Sequence, residues 1–465
     1  MSQMEPGGLS LADAEREIYR HILERAPEHD IDPTLERVRE ACDLLGSPQH
    51  TYKVIHLTGT NGKTSTARMC DALVRAHGLR TGLFTSPHLS SVRERIQIDG
   101  EPIGQEDFIR LWHEVAPIIH VVDTRSQQAG GPRLSFFEVL TVLAYAAFAD
   151  APIDVAVIEV GMGGVWDATN VADGNVAVIG PVSMDHAQWL GDDIAGIARE
   201  KAGIIKRDAA VVISHQPEVV TPVLLAALTA QDARAVWEGD EIEVMDRTPG
   251  VGGQLVNLRT SSATYTEIFV PLYGEHQAHN ALLALAAVEA LMADGGQPQS
   301  LSGETIEQGF AAVTSPGRME VVRTSPMMLV DAAHNPAGID AMAQAVEEAF
   351  TFDFLVGVVA VLDDKDAEGI LSGLEPLLEE IVITQSSSPR AIAADELGAL
   401  AATVFGEDRV TIAPDLPDAL DRAVQAAEGQ ADQGGGVLVV GSVTLVADAR
   451  ILLGADKPSR SGQDR

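Results

Sequence analysis

The chain has 465 residues, 46% hydrophobic and 22% charged, enough apolar material for two or three cores at roughly 150 residues each. Its 68 acids against 32 bases leave a formal net charge of -36. Such a surface repels phosphate backbones and anionic lipid, so neither nucleic acid nor membrane is expected as a partner.

Of the two cysteines, Cys42 and Cys70, neither sits in a CxxC pair, which argues against a zinc knuckle or redox motif and suits a reducing compartment. The N-terminal MSQMEPGGLSLADAERE is acidic and lacks an apolar signal core. The apolar run VLTVLAYAAFA at 139–149 stops at Asp150, too short for a bilayer, and reads as a buried helix. A cytoplasmic protein is expected.

Taken in chain order, apolar strands alternate with helical patterns, which predicts an α/β fold with a mainly parallel sheet. YKVIHLT (52–58) reads as a buried strand and KTSTARMCDALVRAHG (63–78) as an amphipathic helix. Strands follow at 154–161 and 176–180, and a long helix at 275–292. After the polar stretch 293–303, a short helix and TSPGRME (314–320), the alternation restarts. Strands at 327–331, 354–361 and 437–441 and a helix at 339–350 predict a second, smaller Rossmann-like unit. The expected division is 1–313 and 314–455, with the apolar-poor tail 456–465 disordered. There are no internal repeats or low-complexity tracts.

Between the first strand and its helix stands GTNGKTS (59–65). This is the setting of a phosphate loop, although the usual glycine five residues before the Gly-Lys pair is replaced by Leu57. Amides of Thr60, Asn61 and Gly62 and the helix N-terminus would cradle an anion, Lys63 would reach the terminal phosphates, and the Thr64 hydroxyl would face Mg²⁺. The bland alternative is a glycine-rich turn with an incidental lysine.

In EVGMGGVWDATN (159–170), Glu159 closes a strand, so its carboxylate emerges at the sheet edge that also holds Lys63 and can hold Mg²⁺ there. A helix cap or surface residue is the plainer reading of a strand-end Glu. His186 of PVSMDHAQWLG follows the next strand as a candidate metal ligand or a structural histidine. On spacing alone, Lys201 of IAREKAGIIK (197–206) reads as a solvated helix lysine. DAAHNP (331–336) places Asp331 at a strand end and His334 in the turn after it.

Together with TSPHL (85–89), SFFE (135–138), REKAGI (199–204), GEHQAHNA (274–281), PGRME (316–320), DKD (364–366) and GSVTLVADAR (441–450), these motifs resemble the Mur ligase superfamily, and within it the folylpolyglutamate synthase/dihydrofolate synthase family. The resemblance runs from about Asp32 to Arg450. It implies an N-terminal ATPase and pterin-binding domain and a mobile C-terminal glutamate-ligase domain. The implied reaction is ATP-driven ligation of L-glutamate to dihydropteroate or to the γ-carboxylate of a folate, through an acyl phosphate. Ligases of this type use a shorter phosphate loop, which GTNGKTS matches.

The resemblance also implies two Mg²⁺ ions, one held by Ser86 and Glu159 with Thr64 near the phosphates, the other by His186 and by Lys201 as a carbamate formed with CO₂. Asn280 matches an adenine contact, and Arg318 and Asp331 match ATP contacts. His334 and Ser442 resemble residues near the incoming glutamate. The pterin side would be lined by Ile31, Asp32 and Pro33, by Ser135, Phe136, Phe137 and Glu138, and by Trp166, Asp167 and Ala168. A monomer is expected. This chain departs from the family at Val165, where an arginine is usual, at Thr64, where many members have glycine, and at Ala332, another usual glycine. The alternatives are a Mur-type ligase acting on a UDP-linked cell-wall precursor, against which TSPHL and SFFE argue, and a nucleotide switch, for which no NKxD motif is present.

Overall fold

The computed structural model describes residues 10–27, 32–184, 193–293, 299–430 and 434–455. The chain forms two units. The first comprises Met1–Arg247, Val256–Val270 and Ala278–Val313; the second comprises Thr248–Leu255, Pro271–Gln277 and Thr314–Arg465.

The first unit is built on an eight-stranded sheet of β1 (Lys53–Thr58), β2 (Thr81–Phe84), β3 (Ile96–Ile98), β4 (Glu101–Pro102), β5 (Val155–Glu159), β6 (Val176–Ile179), β7 (Ala210–Ile213) and β8 (Arg234–Trp237). Their order is β4-β3-β2-β5-β1-β6-β7-β8, parallel from β2 to β8, with β3 and β4 added antiparallel at one edge. The central strand β1 is flanked by β5 and β6 and is buried after its first residue, which is why KVIHLT is a nearly continuous apolar run rather than an alternating one.

Helix Phe136–Asp150 packs into the aromatic core on one face, with Phe84, Phe108, Tyr145 and Phe148 all nearly inaccessible. Its first turn is a capping box: the Glu138 amide donates to Ser135 Oγ at 3.2 Å, and the Ser135 amide donates to Glu138 Oε2 at 2.7 Å. A separate cluster around Ile179, Ile197, Ile204 and Ile213 contains residues of helix Ile194–Ala202.

The pattern at 243–270 gave no expectation, yet β9 (Glu243–Gly250), β10 (Gly253–Arg259) and β11 (Thr264–Val270) form a three-stranded sheet ordered β11-β10-β9. Its residues alternate weakly; β9 is exposed or half-buried throughout, so hydropathy does not announce it.

The second unit carries a six-stranded sheet of β12 (Glu320–Thr324), β13 (Met327–Asp331), β14 (Phe354–Val359), β15 (Glu380–Ile383), β16 (Val410–Ile412) and β17 (Gly435–Val440). The order is β12-β13-β17-β14-β15-β16, parallel except for the antiparallel edge strand β12. Its core lies about Ile339, Leu355, Ile381 and Leu438. Both units are thus α/β with mainly parallel sheets, as expected. No described helix is long and apolar enough to cross a membrane.

Candidate active site

Residues 59–62 turn from β1 into helix Lys63–Ala76 and need two unusual backbones: Gly59 at φ +157° and Gly62 at φ +81°. A Cβ at Gly62 would stand 2.5 Å from Asn280 Oδ1, so a side chain there would strain the left-handed backbone and displace the Asn280 amide. At Gly59 a Cβ would stand 3.1 Å from the Gly180 Cα. Thr60 is tied to the segment after β6: its amide donates to Pro181 O at 2.8 Å and its hydroxyl to Ser183 O at 3.0 Å.

Lys63 folds back over this loop, its Nζ donating to Gly59 O at 3.0 Å and Thr60 O at 3.1 Å. Lys201 is 4% exposed, and its Nζ donates to the same Gly59 O at 2.9 Å. The solvated-lysine reading is therefore corrected. The small residues around Lys201 let the Ile194–Ala202 helix pack close, and the lysine points inward. Both lysines line a small open pocket together with Thr58, Gly161 and Met162.

Glu159 ends β5 and is 2% exposed. Thr64 Oγ1 donates to its two carboxylate oxygens at 2.9 and 3.0 Å, and the Ser86 amide donates to Oε2 at 3.1 Å. Register explains the meeting: β5 pairs with β1 on one side and β2 on the other, so the three strand ends deliver Thr64, Glu159 and Ser86 to one edge. These oxygen donors suit a hard cation such as Mg²⁺, which takes one or two carboxylates and leaves its other positions to phosphate and water. Among the described residues no group of three or more His, Cys, Asp or Glu forms a metal cluster. His186 and Ile31 lie outside the described residues.

Of the residues expected to line a pterin pocket, several have structural employment. Ser135 and Glu138 form the capping box, and Glu138 Oε1 also accepts from Arg37 at 3.0 Å, whose other nitrogen holds Asp32 at 2.6 Å. Phe136 and Phe137 are 5% and 8% exposed; the Arg95 guanidinium stands 5.1 Å over the first, and Phe84 packs on the second. Pro33 is exposed and Trp166 half-buried. Ala168 opens a short 3₁₀ turn and is buried. Asp167 is buried and accepts from the Met162 amide at 2.9 Å, the Thr169 amide at 3.0 Å and the Thr169 hydroxyl. Burial raises its carboxyl above the ordinary range against those bonds.

Sequence reasoning missed what lies beneath. His56 Nε2 meets Thr169 Oγ1 at 2.9 Å, and burial, helped by Lys206, drops its imidazole to about 3. Alternation along β1 could have shown it, since His56 and Thr58 share a face; Thr58 Oγ1 donates to Gly163 O at 2.9 Å. Val165 is 46% exposed, and its amide donates to Glu200 O at 3.0 Å.

In the second unit, Asp331 ends β13 and accepts from the Met319 amide and the Ala333 amide, both at 2.8 Å. Burial raises its carboxyl, opposed by the Arg318 guanidinium. Arg318 Nη1 donates to Gly317 O at 3.2 Å. His334 Nδ1 lies 2.9 Å from Ala332 O, and Ser442 caps the Val443–Leu453 helix, accepting from the Leu445 amide at 3.0 Å. Ala332 is not among the described residues with positive φ, so alanine is compatible with that turn.

Comparison with known proteins follows the same lines. A model of the Mur ligase middle domain matches residues 106–288, and one of the Mur ligase glutamate ligase domain matches 317–443. The chain is 50% identical over 455 residues to the dihydrofolate synthase/folylpolyglutamate synthase of Mycobacterium tuberculosis, covering 94% of this chain and 93% of that one. A crystal structure of M. tuberculosis folylpolyglutamate synthase complexed with ADP and AMPPCP has a TM-score of 0.91 at 48% identity, covering 97% of this chain and 100% of the other. The folylpolyglutamate synthase of Thermotoga maritima gives a TM-score of 0.81 at 30% identity, over 96% and 98% of the two chains. These likenesses bear out the resemblance drawn from the motifs: the chain belongs to the Mur ligase family, in its folylpolyglutamate synthase/dihydrofolate synthase branch.

Proposed function

We propose that this protein is an ATP-dependent carboxylate–amine ligase that adds L-glutamate to dihydropteroate, to the γ-carboxylate of folates, or to both. The observation that carries the reading is the convergence of Lys63, Thr64, Glu159 and Lys201 on one strand edge beside the phosphate loop. A carboxylate is a poor acyl donor because its leaving group would be oxide. Transfer of the γ-phosphoryl group of ATP to the carboxylate oxygen supplies a phosphate leaving group. The glutamate amine then attacks the acyl carbon, loses its proton and expels phosphate. Phosphoryl transfer asks chiefly for alignment and positive charge, which Lys63 supplies at the loop.

Thr64, Ser86 and Glu159 would hold one Mg²⁺, whose chemistry is neutralising phosphate charge. Lys201 and His186 are the candidates for a second. Lys201 is also the candidate for a carbamate, formed when the neutral amine adds CO₂ and releases a proton, which would exchange a cation for an anionic oxygen ligand. Its burial beside Lys63 supports that role. Thr60, Asn61, Gly62 and Asn280 are assigned to the nucleotide, as are Arg318 and Asp331 by the family resemblance; His334 and Ser442 are assigned to glutamate. Pro33 and Trp166 are the better pterin contacts, because the side chains of Asp32, Glu138 and Asp167 already serve the fold. We assign domains 1–313 and 314–455 to the ATPase and ligase roles, and the enzyme to the cytoplasm as a monomer.

Mass spectrometry of products from dihydropteroate and from a reduced folate, each with ATP and glutamate, tests the reading. A mass gain of one glutamate on either substrate is expected. Transfer to neither, with transfer to a UDP-linked precursor, would overturn it.

A further inference from the structure

Two residues in the family-like motifs have no part in the chemistry above: Glu320 of PGRME and Arg450 of VADAR. They meet. Arg450 Nε donates to Glu320 Oε2 at 2.8 Å and Nη2 to Oε1 at 3.2 Å, the two-pronged geometry that makes arginine–carboxylate pairs directional. The Arg450 side chain is 8% exposed and that of Glu320 25%, so water competes weakly.

The same Glu320 Oε2 accepts from the Gly317 amide at 2.7 Å. That bond closes the turn carrying Arg318, and three neighbouring amides are also engaged. The Arg318 amide donates to Ser315 O at 3.1 Å, the Ala332 amide to Gly317 O at 2.9 Å, and the Met319 amide to Asp331 at 2.8 Å. The turn needs this grip: Gly317 is at φ +70° and Met319 at φ +44°, a left-handed backbone costly for a side chain-bearing residue. Strain of that kind persists only where surroundings over-determine it, and here the anchor is a partly buried ion pair rather than packing alone.

We propose that Arg450 and Glu320 are positioning residues for the ligase reaction: their ion pair locks the 315–319 turn and so aims the Arg318 guanidinium. The inference rests on the reading of Arg318 as a nucleotide contact. The pair also ties the turn to the Val443–Leu453 helix, whose N-cap is Ser442, so one helix braces the turn and bears the glutamate-side candidate at its other end.

The test is a double-mutant cycle on kcat/KM for ATP, read by phosphate release at saturating folate and glutamate, with thermal unfolding as the measure of folding. R318A and R450M are each expected to lower kcat/KM for ATP by roughly 10-fold, and R318A/R450M by no more than either alone, because Arg450 acts through Arg318. R450K, which keeps the cation and one hydrogen bond, should recover part of the loss and covers the case in which R450M does not fold. Losses that multiply in the double variant (R318A/R450K where R450M does not fold), or wild-type kcat/KM in R450M beside a defective R318A, overturn the inference alone. Wild-type kcat/KM in R318A overturns the nucleotide reading of Arg318 and this inference with it.

Discussion

At the carboxyl edge of the eight-stranded sheet, Lys63 and Lys201 line one pocket and Thr64 donates to Glu159. At the corresponding edge of the six-stranded sheet, Asp331, Asn335 and Ser442 each accept from backbone amides and close the turns in which they sit. The two edges are built alike, from parallel strands ending in polar residues. At the first edge, polar side chains are turned toward one another and toward a pocket. At the second, Asp331, Asn335 and Ser442 accept from backbone amides, and the turns that Asp331 closes carry Arg318 and His334. An equivalent place in a fold therefore does not confer an equivalent role.

Substitutions at the two edges should separate activity from stability. The largest effect on turnover is expected for K63A, a fall of roughly 1,000-fold or more with little change in melting temperature, since this lysine supplies charge rather than packing. Phosphate release and a thermal melt on one preparation check it; near-wild-type turnover in the folded variant would remove the loop assignment. G62A comes next. At φ +81°, with its Cβ 2.5 Å from Asn280 Oδ1, the variant strains the loop backbone or displaces Asn280, and turnover should fall roughly 100-fold.

D331A should reverse the balance. It orphans the Met319 and Ala333 amides, each a group that costs about 1–3 kcal/mol when buried unpaired, so denaturant midpoints should drop while turnover falls only roughly 10-fold. If D331A proves as inactive as K63A at unchanged stability, the contrast between the edges is wrong.

The smallest effect belongs to a buried carboxylate at neither edge. Glu289 Oε1 accepts from Tyr265 at 2.6 Å and Thr260 at 3.0 Å, and burial raises its carboxyl against those bonds. A raised carboxyl binds its proton more tightly in the folded chain. Its contribution to stability is therefore full below the ordinary value of 4.5 and is lost as pH rises through the folded value. E289Q keeps the accepting oxygen without the titration. Its melting temperature should match wild type near pH 4 and exceed it at pH 7 by on the order of 1 °C. Thermal melts across that range decide it.

Much of this was legible in the sequence, for identifiable reasons. β1, the phosphate loop and its helix announce themselves because a buried strand, glycines and a helical stripe occur in succession. Glu159 was legible as a strand end. Lys201 was not: its helix is too rich in small residues for periodicity to show which side faces in, and only the family likeness marked it. SFFE shows the opposite failure, since S-x-x-E is the signature of a capping box and Ser135 and Glu138 form one. The 243–270 sheet escaped because its exposed first strand lacks the alternation that marks a half-buried one.

One carbonyl oxygen, that of Gly59, accepts from both Lys63 Nζ at 3.0 Å and Lys201 Nζ at 2.9 Å. With both side chains as amines the two Nζ groups share one acceptor, and a carbamate on Lys201 would exchange its cation for an anion and leave that carbonyl to Lys63 alone. An anion arriving at the loop competes with the Gly59 and Thr60 carbonyls for Lys63, so its binding must offset the two hydrogen bonds that Lys63 gives up.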